Sequence, residues 1–144
     1  AMAELIKNQD IMKIAQQELD KVVGKHKVVE ESHIPKLPYI LAIMKETLRL
    51  HTVSPLLLPH RPSQTTVVGG FTIPFGSGRR ICAGTAMSER AVLYNIATLL
   101  HSFDWKLPHG ERVNIEEKFG IALKMKNPLV ATPVLRLSDP NLYL

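Results

Sequence analysis

The 144-residue chain contains a single cysteine, Cys82. One thiol excludes an internal disulfide and any zinc site built from several cysteines. Aromatic residues make up only 6%, and none alternate with basic stripes as a nucleic-acid platform requires. Long apolar runs are also missing. The best stretch, Ala91 to Leu100, is broken by Asn95 and falls short of the ~18 residues of a membrane span. The net charge of +5 has no concentrated source: eight Lys/Arg face seven acids in residues 1–50, and ten face six in 51–144. Such interleaving argues against a nucleic-acid partner. Eight glycines and ten prolines are too few for a low-complexity chain. The start, Ala1-Met2-Ala3-Glu4, lacks the basic region of a signal peptide.

What is present is ordinary for a folded domain: 45% hydrophobic and 22% charged residues. The length suits one domain or a piece of a larger one. Ile11, Ala15, Leu19 and Val22 form one helical stripe, with Asn8 or Asp10 as the start and Gly24 as the stop. Residues 25–37 are polar, contain Pro35 and read as a connector. Pro38 opens a second helix, with the stripe Leu37, Ile40, Leu41, Met44 and Leu48, ending before Pro55.

Prolines then punctuate short β-like pieces, and Gly69-Gly70 marks a turn between Thr65–Val68 and Phe71–Ile73. A third helix is predicted from about Thr85 to His101. Ser88, Asn95 and Ser102 form its polar stripe; Ala86, Leu93, Ala97 and Leu100, with Met87 and Ala91, form a wide apolar surface that needs burial. The tail alternates at Ile121, Leu123 and Met125 and again over Leu129–Leu137, a hairpin pattern turning near Asn127-Pro128. The fold class expected is mainly α with small β hairpins.

The chemistry lies in Phe75-Gly76-Ser77-Gly78-Arg79-Arg80-Ile81-Cys82-Ala83-Gly84. The cysteine stands just before a helix start, where the dipole and nearby arginines stabilise a negative sulfur. Glycines let the backbone approach a flat ligand, and arginine forks bind carboxylates. A thiolate among such groups suits a haem with one axial cysteine. None of the six histidines has metal-ligand spacing. His26, His33 and His109 read as surface residues, while His51 and His60 flank the segment Thr52–Leu58.

The segment resembles the haem-binding signature of cytochrome P450, Phe-x-x-Gly-x-Arg-x-Cys-x-Gly. Phe75, Gly78, Arg80, Cys82 and Gly84 match all five fixed positions. Chance supplies such a match in on the order of one chain in 10⁴. Glu46-Thr47-Leu48-Arg49 is similar to the family's Glu-x-x-Arg motif, an i, i+3 pair able to form an ion pair. The resemblance covers nearly the whole chain and is to plant microsomal members of the geraniol- and flavonoid-hydroxylase kind. It implies the C-terminal part of the P450 fold, incomplete. J and K helices and a β segment would occupy 1–74; the cysteine loop, L helix and C-terminal hairpin would occupy 75–144.

The resemblance implies haem b with Cys82 as axial ligand. Arg80 and Arg61 would sit on the propionates, Phe75 beside the cysteine loop, and Glu46 and Arg49 in a structural role. Thr52–Leu58 and Met125–Leu129 would contact substrate. It further implies hydroxylation of a small apolar plant metabolite, with electrons from NADPH through a reductase, on the endoplasmic reticulum membrane. By the same resemblance the chain starts at the end of the I helix. The oxygen-activating acidic-Thr motif and the membrane anchor are then not part of it, leaving its location unknown or cytosolic. No catalytic residue beyond the haem ligand remains. Ile73-Pro74 runs directly into Phe75-Gly76 where the family has a much longer segment, so the join reads as a deletion. The expectation is therefore a chain inactive by itself, and loosely packed or poorly soluble, because its helices keep apolar faces without partners. The alternative is a non-catalytic truncated P450 that at most binds haem or partner proteins.

Overall fold

Helical structure begins earlier than the apolar stripe predicts. In a computed structural model, which describes residues 1–54, 67–72, 82–108, 112–120 and 122–143, a first short helix α1 spans Met2–Lys7. The next helix, α2, spans Gln9–Val22. Asn8 is the joint between them. It holds the position expected of an α2 cap, but its Nδ2 donates backwards to the Glu4 carbonyl at 2.8 Å. Its side chain therefore closes α1, while its carbonyl opens α2 by accepting from Met12 N at 3.2 Å, and Asp10 lies inside α2. Gly24 stops α2 as expected, at φ +83°, a conformation open to glycine without a side-chain penalty.

The buried face of α2 is Met12, Ala15, Gln16 and Leu19, whereas Ile11 is 40% exposed. The stripe is rotated from expectation because α2 packs on a later helix through a polar residue. Gln16 Nε2 donates to the Leu100 carbonyl at 3.3 Å and to Asp104 Oδ1 at 3.0 Å. The expected connector contains a 3-10 turn, Glu31–Lys36, closed by a capping box between Glu30 and His33. Its flanks, Val29 and Leu37, are buried.

Helix α3 spans Pro38–Leu50, with Pro38 in the first turn. Its next N–H groups are satisfied from outside. The Glu18 carboxylate on α2 accepts from Tyr39 N at 2.9 Å and Ile40 N at 3.1 Å. An acid at a helix N-terminus meets both orphan donors and the dipole. Ile40, Ile43 and Met44 are buried, while Leu48, expected on the stripe, is half exposed. A two-residue hairpin follows, β1 (Val67–Val68) against β2 (Phe71–Thr72). Gly69 and Gly70 turn it at φ +59° and +80°.

Helix α4 spans Thr85–Ser102. Leu93, Ile96, Ala97 and Leu100 enter the core against α2 and α3. Ser102, expected on the polar stripe, is buried, whereas Thr85 to Val92 are exposed throughout. The chain then enters strand β3 (Phe103–Lys106), which the sequence pattern missed.

The tail pairs differently from the expected hairpin. Strand β4 (Glu117–Lys118) pairs antiparallel with β5 (Lys124–Met125). Strand β6 (Thr132–Leu135) pairs with β3, with Phe103 opposite Leu135 and Lys106 opposite Thr132. Asn127-Pro128 therefore joins two separate sheets and does not turn one hairpin. The reason is that β3 offers a four-residue partner right after α4. Leu19, Leu37, Ile40 and Leu100 are fully buried, each contributing about 1.5–3 kcal/mol by removal from water.

Candidate functional site

Cys82 leads directly into α4. Its carbonyl accepts from Thr85 N at 3.2 Å and from Thr85 Oγ1 at 2.8 Å. These bonds fix the approach to the helix, with Gly84 at the N-cap position. The thiol is exposed. A methyl group added at Gly84 would stand 3.7 Å from Cys82 Sγ and 3.9 Å from Ser88 Oγ, ordinary contact distances. A soft sulfur donor, open on its outer side and held at the start of an 18-residue helix, fits the axial position of a haem iron. Phe75, Gly78, Arg80 and Arg61 lie outside the described residues. Among the described residues no group of three or more His, Cys, Asp or Glu could hold a metal ion.

Glu46 and Arg49 form the expected pair. Arg49 Nε and Nη2 each donate to a Glu46 carboxylate oxygen at 2.7 Å. That hydrogen bond holds the Glu46 carboxyl below its ordinary range and raises the Arg49 guanidinium above its own. Both side chains are exposed, at 54% and 67%, so the pair faces water instead of bracing a buried surface.

Of the two expected substrate segments, Thr52 to Ser54 and Met125 to Leu129 are described. The structure brings their neighbourhoods together. Leu123 N donates to the Val53 carbonyl at 2.8 Å. A cavity of about 170 Å³ is walled by Leu107, Val113, Met125, Pro128 and Leu129, with Arg112. Cys82 is not part of its lining.

Two polar clusters had no sequence signal. His51, which flanks the expected substrate segment, lies between two carboxylates: Nδ1 is 2.5 Å from Glu117 Oε1 and Nε2 is 2.8 Å from Glu4 Oε1. The Glu117 hydrogen bond first, and the Glu4 bond second, raise its pKa above 6.5. Arg136 is the second centre. Its Nη2 reaches Asp20 Oδ2 at 2.7 Å and its Nη1 donates to the His101 carbonyl at 3.2 Å. Tyr143 Oη accepts from Arg136 N and Leu137 N and donates to Ser102 O at 2.6 Å. His101 is fully buried, and burial lowers its pKa despite a hydrogen bond to the Lys27 carbonyl. The side chains of His51 and Arg136 reach hydrogen-bond partners 35 to 116 positions away, which leaves no local pattern to detect.

The Cytochrome P450 family model matches residues 1–74 and 72–131. A flavonoid 3',5'-hydroxylase of Crocosmia x crocosmiiflora is 38% identical over 99% of this chain and 37% of its own length. A geraniol 8-hydroxylase of Swertia mussotii is 38% identical over 93% of this chain and 37% of its own. The chain thus spans little more than a third of these relatives. The Crocosmia alignment runs over 196 residues although this chain has 144. The surplus is relative sequence without a counterpart here, and the family match divides at 72–74, beside the join at Pro74-Phe75. A zebrafish cytochrome P450 structure with abiraterone superposes with a TM-score of 0.80, at 23% identity, over 93% of this chain and 41% of that one. Among the described residues no helix is long and apolar enough to cross a membrane. The solved structure shows the shared fold, and the family model, which matches most of the 144 residues, shows the lineage: this chain belongs to the cytochrome P450 family.

Proposed function

We propose that Cys82 is the axial thiolate of a haem b, and that the chain forms the cysteine side of a plant haem-thiolate monooxygenase. The observation that carries this reading is the exposed Cys82 sulfur entering the N-terminus of α4 within a complete five-residue motif. When bound, the group supplies oxygen activation, its thiolate ligand donating electron density that favours O–O cleavage. The chain's own residues position it. Thr85 anchors the Cys82 carbonyl, which fixes the backbone that carries the exposed sulfur. Gly84 and Gly78 would let the loop pass close beside the ring, and Phe75 would lie beside the cysteine loop. Arg80 and Arg61 would bind the propionates as forks, and Glu46 with Arg49 would stiffen the end of α3.

The substrate class is a small apolar metabolite, a phenolic or terpenoid, supported by the flavonoid and geraniol hydroxylases among the relatives. Thr52–Leu58 and Met125–Leu129 contact it. Electrons come from NADPH through a reductase at the endoplasmic reticulum membrane.

The internal gap favours a second element of the proposal. Haem-thiolate chemistry requires water to be excluded from both ring faces, and the 144 residues supply mainly the cysteine face. These 144 residues by themselves are then inactive and at most bind haem or partner proteins. A haem titration tests both elements, reading the ferrous–CO spectrum of the protein and of Cys82→Ser. A stoichiometric, red-shifted thiolate band that disappears in the variant is expected. Weak uptake, equal in both proteins, rejects Cys82 as the ligand. Hydroxylation of geraniol or a flavonoid by the haem-loaded chain with reductase rejects its inactivity.

A further inference from the structure

We propose that His51 is a proton-operated latch, fastening the β4–β5 hairpin to the helices when its ring is protonated and loosening it when the ring is neutral. The geometry demands a particular ring. Both neighbours of His51 are carboxylate oxygens, at 2.5 Å on Nδ1 and 2.8 Å on Nε2. An ionised carboxylate only accepts, and a neutral imidazole has one N–H and one lone pair. The neutral ring must therefore turn a lone pair towards Glu117 or towards Glu4. The imidazolium donates to both.

The latch acts where little else holds. Glu117, Lys118, Phe119, Gly120 and Lys124 are all exposed, Phe119 by 74%. Apart from His51, the hairpin's described link to the end of α3 is the Leu123 N to Val53 O bond. Charges around the ring come from each packed element. Glu4 lies on α1, with the Asn8 amide at 3.4 Å and the Ala1 amino group beside it. Glu117 lies on β4. Glu46 and Arg49 on α3 are paired with each other, and Lys126 is paired with Glu116 at the hairpin base. The raised pKa of His51 sets the direction: the latch is closed below pH 6.5 and opens as pH rises through the raised value.

Amide hydrogen exchange of the full chain between pH 5.5 and 8 tests this, with the intrinsic pH dependence removed. Protection of the Leu123 amide should fall about tenfold or more across the His51 titration. The Lys126 amide, bonded to Glu116 O within the hairpin, should keep its protection, and the amides of α4 should fall by no more than the change in global stability read from urea midpoints. In Glu117→Gln the neutral ring can accept from the new amide while still donating to Glu4, so the fall should vanish. His51→Gln should be flat and low. Leu123 protection constant in the wild type, or falling by the same factor as that of the Lys126 amide, overturns the latch. So does an unchanged pH dependence in Glu117→Gln, which decides the matter even where His51→Gln fails to fold.

Discussion

Arg136 and Asp20, 116 positions apart, meet at 2.7 Å, tying the end of β6 to the last turns of α2. The Arg136 side chain is only 14% exposed, and its fork also reaches the His101 carbonyl. The pair joins the tail sheet to the helical layer where few apolar side chains do so, since β6 is exposed along its length.

Removing one partner of a largely buried ion pair leaves the other charged and unsatisfied. Arg136→Met should therefore destabilise the fold by about 3 kcal/mol. Arg136→Lys should recover little of this, because one ammonium cannot repeat the two-armed contact. Urea unfolding of the three proteins checks the order. Equal midpoints would mean the tail docks without this clasp.

How much of this was legible in the sequence depended on the range of the interaction. Pro38 opening α3, Gly24 closing α2 and Gly69-Gly70 turning a hairpin are local backbone preferences, and each is found as expected. The Phe75-to-Gly84 motif pointed to the family because five residue types at fixed spacing seldom coincide by chance. The α2 stripe was misread because Gln16 faces α4 across 84 positions, and pattern reading places a polar residue outside. The tail hairpin was misread because β6 chose β3, a partner that alternation within the tail cannot name. Leu48 stayed exposed for a similar reason: a stripe shows which residues can be buried, not whether anything covers them.

The glycines separate backbone need from space. Gly24 stands at φ +83° with nothing within 4 Å of an added Cβ, so Gly24→Ala should destabilise by about 1 kcal/mol through conformation alone. Gly84 has φ −81°, which any residue adopts. Gly84→Ala should leave the melting temperature unchanged but slow thiol labelling of Cys82, because the methyl group lies 3.7 Å from Sγ. Thermal melts and labelling rates distinguish the two; a large loss of stability in Gly84→Ala would contradict the helical N-cap geometry.

Two histidines give stability opposite pH slopes. The pKa of buried His101 is lowered by desolvation, so below pH 6.5 the unfolded chain takes up a proton that the folded chain resists. Its contribution is present above 6.5 and is lost as pH falls towards the lowered value. His51, with its pKa raised, contributes below 6.5 and loses that contribution as pH rises through the raised value. Stability should therefore peak near the ordinary histidine range. Urea midpoints from pH 5 to 9 should show both limbs, and His51→Gln should flatten only the alkaline one. Flattening of the acid limb by His51→Gln would assign the wrong histidine.

The first three turns of α4 present Ala86, Met87, Ala91, Val92 and Tyr94 to solvent, Met87 being 79% exposed. With Arg90 and Glu31 several of them line one open groove beside the 3-10 turn. A contiguous apolar face of this kind drives association, and the wide apolar surface of α4 expected burial that the fold supplies only from Leu93 onward. The chain should therefore self-associate at micromolar concentration. Met87→Lys should reduce that association without shifting the melting of the core, since Met87 belongs to no buried cluster. Light scattering against concentration, with circular-dichroism melts of both proteins, is the check. A wild-type chain that stays monomeric across the range would mean that this face tolerates water as it stands.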